Sequence, residues 1–181
     1  MLIKKLTDAS GLPGHEGQVR DIIKEEIKDF VDEMYVDRMG SLIAVKNKNA
    51  EGRHIVLSAH MDEVGLCVTH IDEAGYLKFH SWGVDPRVLP AKIVKIGKNN
   101  IAGVIGTKAI HLQEPTERTV ALSTDKLYID IGASSKTEAE ALVSIGDYVA
   151  FDSDFVEFGE YKIKAKALDD RVGCATVIEM L

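Results

Sequence analysis

Long apolar runs are missing from this sequence of 181 residues, and so is any excess of basic charge. No stretch approaches the roughly 20 apolar residues that a membrane-spanning helix needs. No N-terminal stretch has the apolar core of a signal peptide. Lys and Arg number 22 against 29 Asp and Glu, a formal net charge of −7 at pH 7. A phosphate-binding surface takes clustered cations. Here the lysines are scattered and alternate with apolar residues, as in KIVKIGK and YKIKAKA, which reads as the solvent face of strands. The expected partners therefore include neither nucleic acid nor membrane. Cysteine is nearly absent as well. Cys67 and Cys174 lie far apart among apolar neighbours, which argues against a disulfide framework and for a reduced, cytoplasmic setting.

What is present is enough to fold. Apolar residues make up 45% of the chain and charged residues 28%, so one ordinary domain or two small ones can bury a core. Residues 1–30 read as two helices. Leu2, Ile3 and Leu6 share one face. After the turn SGLPG, residues Val19, Ile22, Ile23, Ile27 and Phe30 recur at helical spacing, with charged residues filling the other face. His15 reads as a turn or helix-start residue. From Glu33 the period changes: MYVD, RMGS and LIAVK predict strand, tight turn, strand. HIVLSAHMD (54–62) is a short, nearly continuous apolar run and predicts a strand buried on both faces of an α/β sheet.

Beyond about residue 67 the texture changes again. Short alternating segments separated by Gly, Asp and Asn predict a small β-barrel or sandwich. One short helix is expected in SKTEAEALVSIG, capped by Ser135 or Thr137. HLQEPTER and ALSTDK have no pattern and read as a flexible loop. Trp82 is expected in the core of this β unit. With EYKIKAKAL the chain returns to one strand and then a helix. The predicted organisation is α/β over 1–67, an inserted all-β unit over 68–160, and α/β again over 161–181.

Two stretches carry candidate chemistry. In LSAHMDEVGL, His60 and Asp62 are two apart on a predicted strand and so point to the same face. Such a pair can bind a divalent metal, or the carboxylate can hold the imidazole in one tautomer. A strand-end His bonded to a turn Asp is the plainer alternative. In KALDDRVG, Asp169 and Asp170 open an apolar helix. One Asp is explained as an N-cap that complements the helix dipole; the second is not. Gly173 early in that helix weakens it, which suggests the close approach of another group. A carboxylate bridging two metals would sit well here, at the C-terminal end of a strand.

Together these stretches resemble the M42 family of metallo-aminopeptidases, the glutamyl and deblocking aminopeptidase group. DASGLPGHEGQVRDII, DRMGSLIAV, LSAHMDEVGL, SWGVDPRVLPAKIVKIG, IAGVIGTKAIHL, KLYIDIGASSKTEA, SIGDYVAFDSDF and KALDDRVG all carry the resemblance. It implies a partial catalytic α/β domain of zinc-peptidase type, interrupted by a small β-barrel-like dimerisation domain. It implies two divalent ions, zinc or cobalt, with His60 binding one, Asp169 bridging both, and Asp62 orienting His60. It implies a cis bond between Asp169 and Asp170. The implied reaction is metal-assisted hydrolysis of the N-terminal residue of a peptide, with a Glu as general base.

The family's Glu-Glu pair, later Asp and late His have no counterpart in this sequence. Glu25-Glu26 is the only adjacent Glu pair, and it lies on the polar side of an amphipathic helix. The ending VIEML carries no helix-closing Gly, Asn or Lys. The resulting expectation is an N-terminal portion of such an enzyme, from an interrupted gene, a deliberate truncation or a split enzyme. It would have weak or absent metal occupancy, no activity alone, and self-association through the β unit. The alternative is a non-catalytic interaction fragment or a remnant.

Overall fold

The computed structural model describes residues 1–116, 119–120 and 122–181. In chain order its first elements are α1 (Leu2–Asp8), α2 (Gly17–Ile27), β1 (Glu33–Val36) and β2 (Leu42–Val45). Then come β3 (Gly65–Ile71), β4 (Leu77–Trp82), β5 (Ile93–Ile96), β6 (Ile101–Thr107) and β7 (Leu127–Asp130). The last are α3 (Lys136–Glu140), β8 (Tyr148–Phe151), β9 (Val156–Phe158), β10 (Lys162–Lys164) and α4 (Leu168–Glu179). Two compact units result: Met1–Glu63 with Ser153–Leu181, and Val64–Asp152. Residues 64–67 thus fall with the β unit and residues 153–160 with the other. Among the described residues no helix is long and apolar enough to cross a membrane.

The unit Val64–Asp152 is a closed antiparallel barrel with strand order β3-β4-β7-β6-β5-β8. Alternation along each strand sends one set of side chains inward. Leu66, Val68, Leu77, Phe79, Val94, Ile96, Ile105, Leu127, Ile129 and Val149 fill the interior. Ser135 caps α3 by accepting from the Glu138 N–H. Trp82 departs from expectation. It is 39% exposed and meets the His80 ring edge-on at 5.8 Å, because it ends β4 where the alternation has already turned it outward. The 3-10 turns Ile110–Leu112 and Thr124–Lys126 lie at the two ends of the patternless stretch 111–126, of which residues 117, 118 and 121 lie outside the described ones.

The other unit packs α1, α2 and α4 around Leu6, Ala9, Val19, Ile23, Ile27 and Cys174. Val19, Ile23 and Ile27 are spaced by four, so they form one buried stripe of α2. The helix ends at Ile27, and Phe30 is therefore carried off the stripe and is 59% exposed. β1 and β2 pair antiparallel as expected, and β9 pairs with β10. His15 donates its backbone N–H to the Leu12 carbonyl in the turn before α2.

The strand expected over 54–62 does not form a ladder. None of these residues is paired in a sheet, and Ile55 and Val56 are 84% and 87% exposed. The apolar pattern records which faces are suited to burial. A ladder also needs a partner strand, and among the described residues none is paired with this run.

Candidate functional site

The site is built where this unpaired segment meets the start of α4. At residues 60–63 its backbone groups are satisfied by α4 and by the 9–11 loop instead of by strands. The His60 N–H donates to Asp170 Oδ2 at 3.3 Å, and the Cys174 thiol donates to the His60 carbonyl at 3.2 Å. Arg171 Nε donates to the Met61 carbonyl at 2.6 Å. The Glu63 N–H donates to the Gly11 carbonyl at 2.8 Å.

The two adjacent aspartates do different jobs. Residues 169 and 170 depart from helical dihedrals, and the bond between them is cis. The Asp170 carboxylate folds back and accepts from the Gly173 N–H at 3.1 Å. A Cβ on residue 173 would stand 2.3 Å from Asp170 Oδ1. Glycine is therefore what lets the carboxylate lie there, which is the close approach that the sequence suggested. Asp170 does the capping. Asp169 is released, with a side chain 97% exposed.

His60 faces the released carboxylate. Its Nε2 lies 3.1 Å from Asp169 Oδ1. Its Nδ1 lies 3.2 Å from the Asp62 carbonyl and 3.3 Å from Asp62 Oδ1, both of them acceptors. The Asp62 contacts place a hydrogen on Nδ1. In the neutral ring the Nε2 lone pair then points at a carboxylate oxygen. That arrangement is favourable only if Nε2 is protonated or a cation lies between the two. Partial burial pulls the His60 pKa down, but Asp62 and then Asp169 outweigh it, and the net shift is upward.

The donor set fits part of a metal site. Two ligand atoms about 2 Å from one zinc at tetrahedral angles lie about 3.3 Å apart, so His60 Nε2 and Asp169 Oδ1 need little movement to share an ion. Zinc sites usually take three or four protein ligands. Among the described residues no group of three or more His, Cys, Asp or Glu is placed to hold a metal.

Three residues that sequence reasoning did not assign stand behind this pair. Glu63 and Arg171 are buried, and Lys166 is partly buried with a side chain 10% exposed. Lys166 Nζ lies 2.7 and 3.0 Å from the Glu63 carboxylate oxygens and donates to the Ala9 carbonyl at 2.8 Å. Desolvation pushes the pKa of Lys166 down, and does the same to Arg171. The alternation in YKIKAKA placed Lys166 on a solvent face; the chain has left β10 by then, and the buried Glu63 draws the ammonium inward. Nothing local in the sequence signals that pairing.

The fold and the pair define a class: an α/β unit, interrupted by a closed barrel, that presents an imidazole and a carboxylate to each other at the start of a helix. The chain belongs to the M42 glutamyl aminopeptidase family, whose model matches residues 40–181. An aminopeptidase candidate of Acetivibrio thermocellus is 43% identical over 99% of this chain and 52% of its own length. The solved TET aminopeptidase of the marine sediment archaeon Thaumarchaeota archaeon SCGC AB-539-E09 is 34% identical with a TM-score of 0.92, over 98% of this chain and 51% of that one. A Thermotoga maritima structure named as an endoglucanase is 42% identical with a TM-score of 0.84, over 98% and 52%. The chain spans about half the length of the curated relatives it matches.

Proposed function

We propose that this chain supplies part of the active site of a metal-dependent aminopeptidase that removes N-terminal residues from peptides. The observation that carries the reading is His60 Nε2 facing Asp169 at 3.1 Å while Nδ1 is held by Asp62. His60 and Asp169 would be the metal donors, and the exposed Asp169 carboxylate could serve two ions. Asp62 keeps the hydrogen on Nδ1 and the lone pair on Nε2. Bound zinc or cobalt would lower the pKa of a coordinated water and polarise the scissile carbonyl. Two donors alone hold an ion weakly, and the described residues place no Glu pair beside them to take the proton from water. The full reaction therefore needs ligands and a general base beyond these residues, and the chain by itself is inactive.

In the same reading, Met1–Glu63 with Ser153–Leu181 is part of a catalytic domain, and the barrel mediates self-association. Exposed apolar residues on the barrel, Ile93 at 57% and Val88 at 55%, support the second role. The test is a zinc titration by calorimetry on the full chain, with His60→Ala and Asp169→Asn. Weak binding that both substitutions abolish is the expected result. Binding indifferent to both, or hydrolysis of a soluble β-glucan in place of aminoacyl anilides, overturns the reading.

A further inference from the structure

We infer that Arg171 is a positioning residue for the His60–Asp169 pair, acting through a buried ion cluster with Glu63 and Lys166; this rests on the reading of that pair as metal donors. The Arg171 side chain is fully buried. Its Nε donates to the carbonyl of Met61, the residue between His60 and Asp62. Its Nη1 donates to the carbonyls of Leu6 and Ala9. Among the described residues Nη2 has no hydrogen-bond acceptor, only Glu63 Oε1 at 3.7 Å. One planar fork thus ties α1, the loop after it and the segment carrying His60 to the residue that directly follows Asp169-Asp170.

Glu63 closes the arrangement from the other side. Its Oε1 accepts from the Gly11 N–H at 3.1 Å while its own N–H donates to the Gly11 carbonyl. Lys166 sits on the same carboxylate and on the Ala9 carbonyl. The guanidinium occupies space that a side chain at residue 11 would fill: a Cβ there would stand 2.8 Å from Nη2 and 2.9 Å from Val19 Cγ2. Two cations and one carboxylate in a buried setting are a weak source of stability. What the cluster does supply is direction. Among the described residues no strand pairs with the segment 60–63; Arg171 holds it at Met61, between His60 and Asp62, and Glu63 holds it just after Asp62. A lysine at 171 keeps the charge but cannot reach three carbonyls with one rigid group.

The experiment uses the full chain labelled with 15N-histidine, whose six histidines give separate ring signals. The variants are Arg171→Lys, Gly11→Ala and the isosteric Glu63→Gln. Ile96→Val in the barrel is a destabilised control away from the cluster. Ring signals, melting temperature and zinc affinity are measured together. The expected result is that the cluster variants shift the His60 ring signals, leave the other five in place, and weaken zinc at least tenfold. The control should lower only the melting temperature. His60 signals unchanged in the cluster variants while melting temperature falls would overturn the inference and leave Arg171 a structural residue. Absence of zinc binding in the unsubstituted chain would instead sink the metal reading. The His60 signals would still decide the positioning role, and Glu63→Gln serves if the other two variants do not fold.

Discussion

The barrel and the α/β unit are built from the same kinds of residue and solve their edges differently. In Val64–Asp152 every strand has two neighbours, because the sheet closes on itself and no backbone edge is left open. Its inward side chains are buried, Ile96 and Ile129 fully so. The other unit has two separate two-stranded hairpins and a run, Ile55–Val56–Leu57, that is apolar yet exposed. Where that run reaches the candidate site, side chains of α4 take over what strands would otherwise do. Closure makes the barrel complete in itself. Openness leaves the other unit with backbone groups free to be held by an arginine, a cysteine and an aspartate.

The largest expected effect that tests this contrast is Ile129→Ala. It should cost about 2–5 kcal/mol, since a buried Ile is truncated inside a closed core, as read from urea unfolding. Gly106→Ala comes next. The new Cβ would stand 2.5 Å from the Tyr128 ring, which already meets Tyr76 at 4.7 Å. The ring must move, and overpacking of this kind costs about 1–3 kcal/mol. Val56→Ala, by contrast, should change stability by no more than about 0.5 kcal/mol, as for other exposed positions. A loss of several kcal/mol there would mean that the run is covered in solution, and the comparison would break. The smallest effect is a titration. Asp85 is held down at about 2 by the Arg87 side chain and then by its backbone N–H. Its folded pKa lies below the ordinary value of about 3.9. The contact therefore contributes fully above that value and is lost as pH falls through about 2. Arg87→Gln should return the midpoint toward the ordinary value in an NMR titration.

Much of the fold was legible in the residues. Val19, Ile23 and Ile27 gave the buried face of α2, and alternation in segments such as KLYID gave inward and outward faces of the barrel. The 54–62 run was misleading because hydrophobicity encodes suitability for burial and says nothing of which backbone lies alongside. Trp82 was misplaced for a related reason: its size suggested core, while its position at the end of β4 turned it outward. The site was half legible. Two adjacent aspartates could be seen, and one was surplus to capping. Which one is free depends on the backbone at 169–170 and on Gly173, not on residue type. Glu63, Lys166 and Arg171 were not found, because the contacts that join Glu63 to the two cations span more than a hundred positions and no periodicity marks them.

The pairing of β3 with β8, Leu66 opposite Val149, has a consequence for how this chain is assembled. The first and last strands of the barrel are antiparallel neighbours, so the chain enters and leaves it side by side. To the unit that it interrupts, the barrel therefore acts as a tight hairpin with a large cargo at its tip. Loop-closure entropy grows only slowly with length, and here the folded barrel itself brings the ends together. A module joined in this way can be lengthened, trimmed or exchanged over generations while the flanking halves keep their register.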